Sequence, residues 1–211
     1  MNFYGHAVVA SWSSRDPRVL LGAMLPDFAG MARARLAGSK DEAIARGIAL
    51  HHATDEVFHG AQLFLQIYSE GIDALEREGV GRGTARAVAH VGTELLLDGL
   101  LLDRAAIDSS YLEAIAVAKD AEIAWREGAE RFLALHDRLA GHGLPREYQS
   151  AEGVALRLGQ ALSRRPRLAI RDADRAPVAA WLEASRARVG ERMDALLGEV
   201  REGLSQGPAP R

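Results

Sequence analysis

Two stretches decide how the chain is read: Gly47-Ile48-Ala49-Leu50-His51-His52-Ala53-Thr54-Asp55-Glu56-Val57-Phe58-His59, and His90-Val91-Gly92-Thr93-Glu94-Leu95-Leu96-Leu97-Asp98-Gly99-Leu100-Leu101-Leu102. Ionisable residues recur in each at intervals of four, as His51, Asp55 and His59 in one and His90, Glu94 and Asp98 in the other. That interval puts side chains on one stripe of an α-helix. A strand instead alternates faces at every second residue, and no segment here shows convincing period-two alternation. The expected class is therefore all-α, with no strands.

Working outward, residues 1–16 read as a short helix or extended segment broken at Asp16-Pro17. A second short helix begins near Arg18, with Gly30 or Gly38 as its stop. Asp41 caps a long helix over about 42–78, and Thr84 caps another over about 85–106. Ser109 or Ser110 opens a third long helix that runs to about Leu139. Ser150 opens one that ends near Arg164, because Pro166 cannot continue it. Asp174 or Pro177 begins the last, ending near Leu204. The expectation is a single-domain bundle of about six to seven helices over residues 1–205, with residues 206–211 as a flexible tail.

Composition bounds the chemistry. Apolar residues make up 48% of the 211 and charged residues 26%, an ordinary balance for a chain with a buried core. There is no cysteine, so disulfides and thiolate metal sites are excluded, and any metal must be held by imidazole and carboxylate. The opening residues lack the basic and apolar regions of a signal peptide. No run reaches the roughly 18 apolar residues of a membrane helix. A net charge of −3 does not indicate a nucleic-acid surface. Cytoplasmic is the default expectation, with no membrane and no nucleic acid as partners.

The surroundings of the two stripes argue against a solvated face. Leucines crowd Glu94 and Asp98, and a lone buried carboxylate costs several kcal/mol unless it is paired or metal-bound. Two helices that each offer imidazole and carboxylate can build a metal site in a bundle core. His6, within the apolar stretch Phe3 to Val9, and Asp27, directly after Pro26, are further candidate ligands. Such ligands favour Mn, Fe, Mg or Zn. The competing reading is structural, with Glu94 and Asp98 in salt bridges to Arg82, Arg86 or other basic residues. His52, His136 and His142 read as surface or supporting residues. Separately, Arg164, Arg165 and Arg167 offer a basic helix end for phosphate or an acidic partner, or simply complement the helix dipole.

Five segments then resemble one family. Met1-Asn2-Phe3-Tyr4-Gly5-His6-Ala7 resembles the opening Met-Asn-Phe-Leu-Ala-His-Leu of the acyl-carrier-protein phosphodiesterases. Leu20 to Phe28 is similar to that family's Gly-Asn-Leu-Leu-x-Asp-Phe segment, and Gly47 to Asp55 to its Gly-Ile-x-x-His-Arg-x-Ile-Asp motif. Glu94 to Leu101 is similar to Asp-x-x-x-Asp-His-Phe-Leu, and Ser163 to Leu168 matches Ser-Arg-Arg-Pro-Arg-Leu throughout. The order is kept, over most of the chain. The resemblance implies an all-helical fold distantly related to the HD-type metal phosphohydrolases. It implies release of 4'-phosphopantetheine from holo-acyl carrier protein with a divalent ion, typically manganese.

On that resemblance His6, Asp27, His51, Asp55 and Asp98 would hold the metal, with Asp27, Asp55 and Glu94 as catalytic carboxylates. The resemblance also has Arg164, Arg165 and Arg167 meeting phosphate or the carrier protein, while the four-residue spacing, not the family, adds His59 and His90 as supporting or additional ligands. The chain departs from the family at Gly99, where a histidine is usual, at Phe58-His59 in place of Thr-Asp, and at His52 in place of arginine. His90 cannot stand in for the missing histidine, because nine residues of helix turn it to the opposite face. Two alternatives stay open: a metal phosphohydrolase acting on a nucleotide or other small phosphoester, and a non-catalytic helical scaffold.

Overall fold

The structure, a computed structural model, describes residues 1–207. Among them the chain forms nine α-helices: α1 (Phe3–Ser11), α2 (Pro17–Ala32), α3 (Glu42–Gly60), α4 (Gln62–Arg77), α5 (Arg82–Asp103), α6 (Asp108–Val117), α7 (Ala129–His142), α8 (Ala151–Leu162) and α9 (Arg175–Gln206). No helix is long and apolar enough to cross a membrane. The protein is all-α, as its sequence pattern requires. The helices outnumber the expected six or seven because two predicted long helices are each divided. Ala61 adopts an extended conformation and separates α3 from α4. The segment expected as one helix to Leu139 instead yields α6, a strand and α7. Of the expected tail, Gln206 ends α9, and residues 208–211 lie outside the described residues.

Several ends obey the capping chemistry of the sequence. Asp16 Oδ1 accepts a hydrogen bond from the Arg18 amide at 2.9 Å, with Pro17 preset at the first helical position. Asp41 Oδ1 accepts from the amides of Ala43 and Ile44 at the start of α3. Ser150 Oγ accepts from the Gly153 amide at the start of α8. Thr84 does not cap α5; its hydroxyl donates to the Ala169 carbonyl from inside the helix. Neither Gly30 nor Gly38 stops α2. Arg33 does so in a left-handed conformation, φ 53°, and Arg131 donates to the Ala32 and Arg33 carbonyls at this end.

Two strands also appear where none was expected. β1 (Arg35–Ser39) pairs antiparallel with β2 (Ile123–Glu127), with two irregularities in register. Neither strand shows the apolar alternation that would mark it, and Trp125 of β2 is fixed by stacking on Phe132, centroids 4.6 Å apart.

The described residues form two compact units, Met1–Val57 with Arg104–Pro145, and Phe58–Asp103 with Arg146–Gly207. In the first, Phe3, Phe28, Tyr4 and Tyr111 form an aromatic core, with ring centroids 5.3–6.3 Å apart. The Tyr4 hydroxyl donates to Asp108 at 2.8 Å. His136, expected at the surface or in support, is a buried tie between α7 and α6, 2.9 Å from the Ile115 carbonyl through Nε2. In the second unit Trp181 of α9 sits against Gly71 and Gly92, where any Cβ would crowd its ring. Tyr148, on a 3₁₀ turn (Arg146–Gln149), is 2% exposed, and its carbonyl fills the space a side chain at Gly99 would need.

One contact in the first unit has no slack. A Cβ built on Gly22 of α2 would lie 2.9 Å from the Cα of Gly47 on α3 and collide with the Ile44 carbonyl oxygen. One built on Gly47 would lie 2.8 Å from the Cα of Gly22 and collide with the Val19 carbonyl oxygen. Real Cβ atoms do not approach so closely, so only glycine permits this crossing.

Gly22→Ala and Gly47→Ala are each expected to lower stability by about 3 kcal/mol in urea unfolding, because backbone must move to admit the methyl. Gly30→Ala, on the exposed side of α2 with nothing within 4 Å of its Cβ, should stabilise by about 0.5–1 kcal/mol. In the second unit, burial pushes the Tyr148 hydroxyl up from 10 to about 12. The unfolded chain therefore ionises Tyr148 first as pH rises, and folding stability falls between pH 10 and 12. Tyr148→Phe should remove roughly 2 kcal/mol of that alkaline loss, read from urea midpoints across the interval.

Candidate metal centre

The glycine crossing sets the register of the next turns along both helices. One residue past Gly22 is Ala23, and one turn past Gly47 is His51, whose Nδ1 lies 2.8 Å from the Ala23 carbonyl oxygen. A carbonyl can only accept, so Nδ1 carries the proton and Nε2 points away from the backbone. Imidazoles that bind metals are commonly oriented by such a bond. A further turn along α2, Asp27 turns inward, and a further turn along α3, Asp55 does the same. Pro26 lies in this turn of α2, and its missing N–H removes a donor for the Gly22 carbonyl.

α1 supplies the third approach. His6 stacks on His51 with centroids 3.9 Å apart and 28° between planes. Its Nε2 lies 3.2 Å from Asp55 Oδ1 and 3.9 Å from Asp27 Oδ2. His51 Nε2 lies 3.5 Å from Asp55 Oδ2. One donor atom each from His6, Asp27 and His51 falls within 4.8 Å of the other two. Despite these short separations, neither ring nitrogen of His6 makes an aligned hydrogen bond, although both are buried. The α-amino group of Met1 also reaches Asp55 Oδ1, at 3.1 Å.

Burial divides the group into two layers. The side chains of His6 and His51 are 0% and 5% exposed, whereas those of Asp27 and Asp55 are 24% and 34% exposed. Desolvation lowers His6 to about 4, against the weaker pull of Asp55, so it is a neutral ring with a lone pair to give. Desolvation acts the same way on His51 but is outweighed by Asp55, Asp27 and the Ala23 carbonyl, which raise it above its ordinary value. Desolvation would raise Asp55, yet His51, His6 and the Met1 ammonium hold it well below the usual carboxylate range. The result is a fixed anion beside two stacked imidazoles.

The structure brings together His6, Asp27, His51 and Asp55, all in the first unit. The other expected site residues lie in the second. His59, His90 and Glu94 form a separate group of donors, with His59 Nε2 3.1 Å from His90 Nε2 and each 3.1 Å from Glu94 Oε1. Asp98 is fully buried one turn beyond Glu94 and belongs to neither group of three donors among the described residues. At Gly99, where the resemblance calls for histidine, the Tyr148 backbone leaves no room for one. Arg164, Arg165 and Arg167 are exposed on the turn after α8. His52 and His142 are exposed.

Sequence spacing alone missed two parts of this geometry. The Ala23 carbonyl is backbone and leaves no mark in the sequence. The glycine pair was visible at Gly22 and Gly47, but nothing in the spacing said that they face each other. Comparison with family models, with curated proteins and with solved structures returns no match.

If the Ala23 carbonyl fixes the ring, long-range 1H–15N spectra at alkaline pH should show His51 as the Nδ1–H tautomer. An Nε2–H signal for this residue would contradict the orientation described.

Proposed function

We propose that the first unit is a divalent-metal centre that hydrolyses phosphodiesters, with an activity like that of the acyl-carrier-protein phosphodiesterases. The observation that carries this reading is His6. A buried ring with two unsatisfied nitrogens costs about 1–3 kcal/mol for each polar group left unpaired. That cost persists in a fold only if something offsets it. Its Nε2 lies 3.2 and 3.9 Å from two carboxylates, beside a second, preoriented imidazole stacked on its ring. This donor set fits a divalent cation: two imidazole nitrogens and two carboxylates, with no sulfur, as Mn, Fe, Mg or Zn accept. Manganese is the expected choice.

His6, His51, Asp27 and Asp55 would hold the ion. When bound, it supplies Lewis-acid charge to a phosphoryl oxygen and acidifies a water molecule. The residues divide the remaining work. The Ala23 carbonyl keeps His51 turned toward the centre. Asp55, held ionised by its neighbours, serves as charge partner rather than as base. Asp27, at the solvent edge, is placed to take a proton from an attacking water. In the second unit, exposed Arg164, Arg165 and Arg167 offer a basic turn to an acidic carrier protein or to phosphate.

A second reading keeps the centre and changes the substrate to a nucleotide or other small phosphoester. It is favoured by Gly99, because the family's histidine cannot be accommodated beneath Tyr148. Assay of holo-acyl carrier protein beside a panel of small phosphodiesters and nucleotides separates the two readings.

Alanine at His51 or asparagine at Asp55 should lower hydrolysis by at least about 1,000-fold, since several kcal/mol of charge stabilisation are lost. Metal affinity measured by calorimetry should fall in parallel. Full turnover by either variant, or wild-type protein that binds none of Mn, Fe, Mg or Zn, would leave a helical scaffold as the reading.

A further inference from the structure

We infer that His59, His90 and Glu94 form a second divalent-metal site, with all three of its ligands in the second unit. Three atoms meet there in a way that protons cannot reconcile. His59 Nε2, His90 Nε2 and Glu94 Oε1 form a triangle whose three edges are all 3.1 Å. Each imidazole nitrogen presents either an N–H or a lone pair in the plane of its ring, never both. If both donate to the carboxylate, two N–H groups confront each other across 3.1 Å. If only one carries a proton at Nε2, the lone pair of the other confronts the carboxylate oxygen. With an ionised glutamate, no arrangement of protons satisfies all three edges.

Burial would raise the pKa of Glu94, but nearby positive charge, that of the N-terminal ammonium, and then hydrogen bonds with His59 and His90 hold it below the usual carboxylate range. A cation removes the conflict, because it accepts all three lone pairs at once. Two neutral imidazoles and one carboxylate are a recurrent ligand set for zinc-class ions, and three protein ligands leave a coordination position for water or an exogenous ligand.

The surrounding packing supports a built site rather than a chance meeting. His90 and Glu94 stand four residues apart on α5, so one helix fixes two ligands. The third comes from the last turn of α3. Phe64 and Tyr68 on α4 meet the His90 ring in edge-to-face contacts at centroid distances of 5.4 and 5.7 Å, and Phe64 also packs against His59 at 5.4 Å. Glu94 is 13% exposed while His59 and His90 are 35% and 38% exposed, so the imidazoles form the solvent side and an ion can enter. The family resemblance supplies neither histidine: His59 is one of the departures from it, and His90 lies outside its motifs.

The test uses the full chain, stripped with chelator and titrated separately with zinc and manganese chloride by calorimetry. Cobalt(II) serves as a visible-absorption probe of nitrogen and oxygen ligation. His90→Gln and Glu94→Gln should each lose one bound equivalent of zinc, or weaken it at least about 100-fold, and lose the cobalt band of that site. His51→Ala should keep it. Because His90 is partly exposed, His90→Gln should retain the wild-type circular dichroism spectrum. His59→Gln provides a second partly exposed substitution. Unchanged zinc stoichiometry and affinity in His90→Gln and His59→Gln would overturn the site, whatever becomes of the centre at His51.

Discussion

The first unit turns on a contact that no side chain makes. At Gly22 and Gly47 the backbones of α2 and α3 touch, and an added methyl on either would enter the other's main chain. Helix pairs normally stand 8–10 Å apart because side chains separate them. Removing the side chains lets an imidazole one turn along α3 reach a backbone carbonyl on α2. A longer axis separation would leave His51 short of Ala23, and with it the orientation of Nε2. The geometry of the donors is therefore decided at a place that carries no donor.

The two groups of donors solve one problem in different ways. In the first, desolvation lowers the pKa of His6, whereas Asp55, Asp27 and the Ala23 carbonyl raise that of the His51 ring stacked on it. The anion is supplied from two helices, with Asp27 on α2 and Asp55 on α3. In the second, both imidazoles converge on a single glutamate oxygen, and aromatic rings from α4 support them. The two groups use the same kinds of side chain, and in the first the second nitrogen of one imidazole is tied to a carbonyl.

Much of the fold was legible because it depends on local rules. Asp16 with Pro17, Asp41 and Ser150 each start a helix in the structure, since a short polar side chain satisfies amides that would otherwise be orphaned. The absence of period-two patterning led to an expectation of no strands, and the fold is all-α apart from one two-stranded pairing. That expectation missed β1 and β2, whose pairing depends on residues over 80 positions apart in sequence. The break at Ala61 was also invisible, because alanine favours helix and tertiary packing overrode it. For the site, the four-residue spacing gave the stripes but not their partners. His59 and His51 lie on the same stripe of α3, yet they join different groups of donors. Spacing defines a face of a helix; only packing decides what that face meets.

The layering of the first group also has a consequence for access. Its imidazoles lie beneath, and its carboxylates form the surface that solvent reaches. Were a cation held there as we propose, it would sit behind Asp27 and Asp55, and an incoming phosphate would meet those carboxylates only after the ion had neutralised them. Under that proposal the order of arrival, cation before anion, is written into which side chains are covered and which are not.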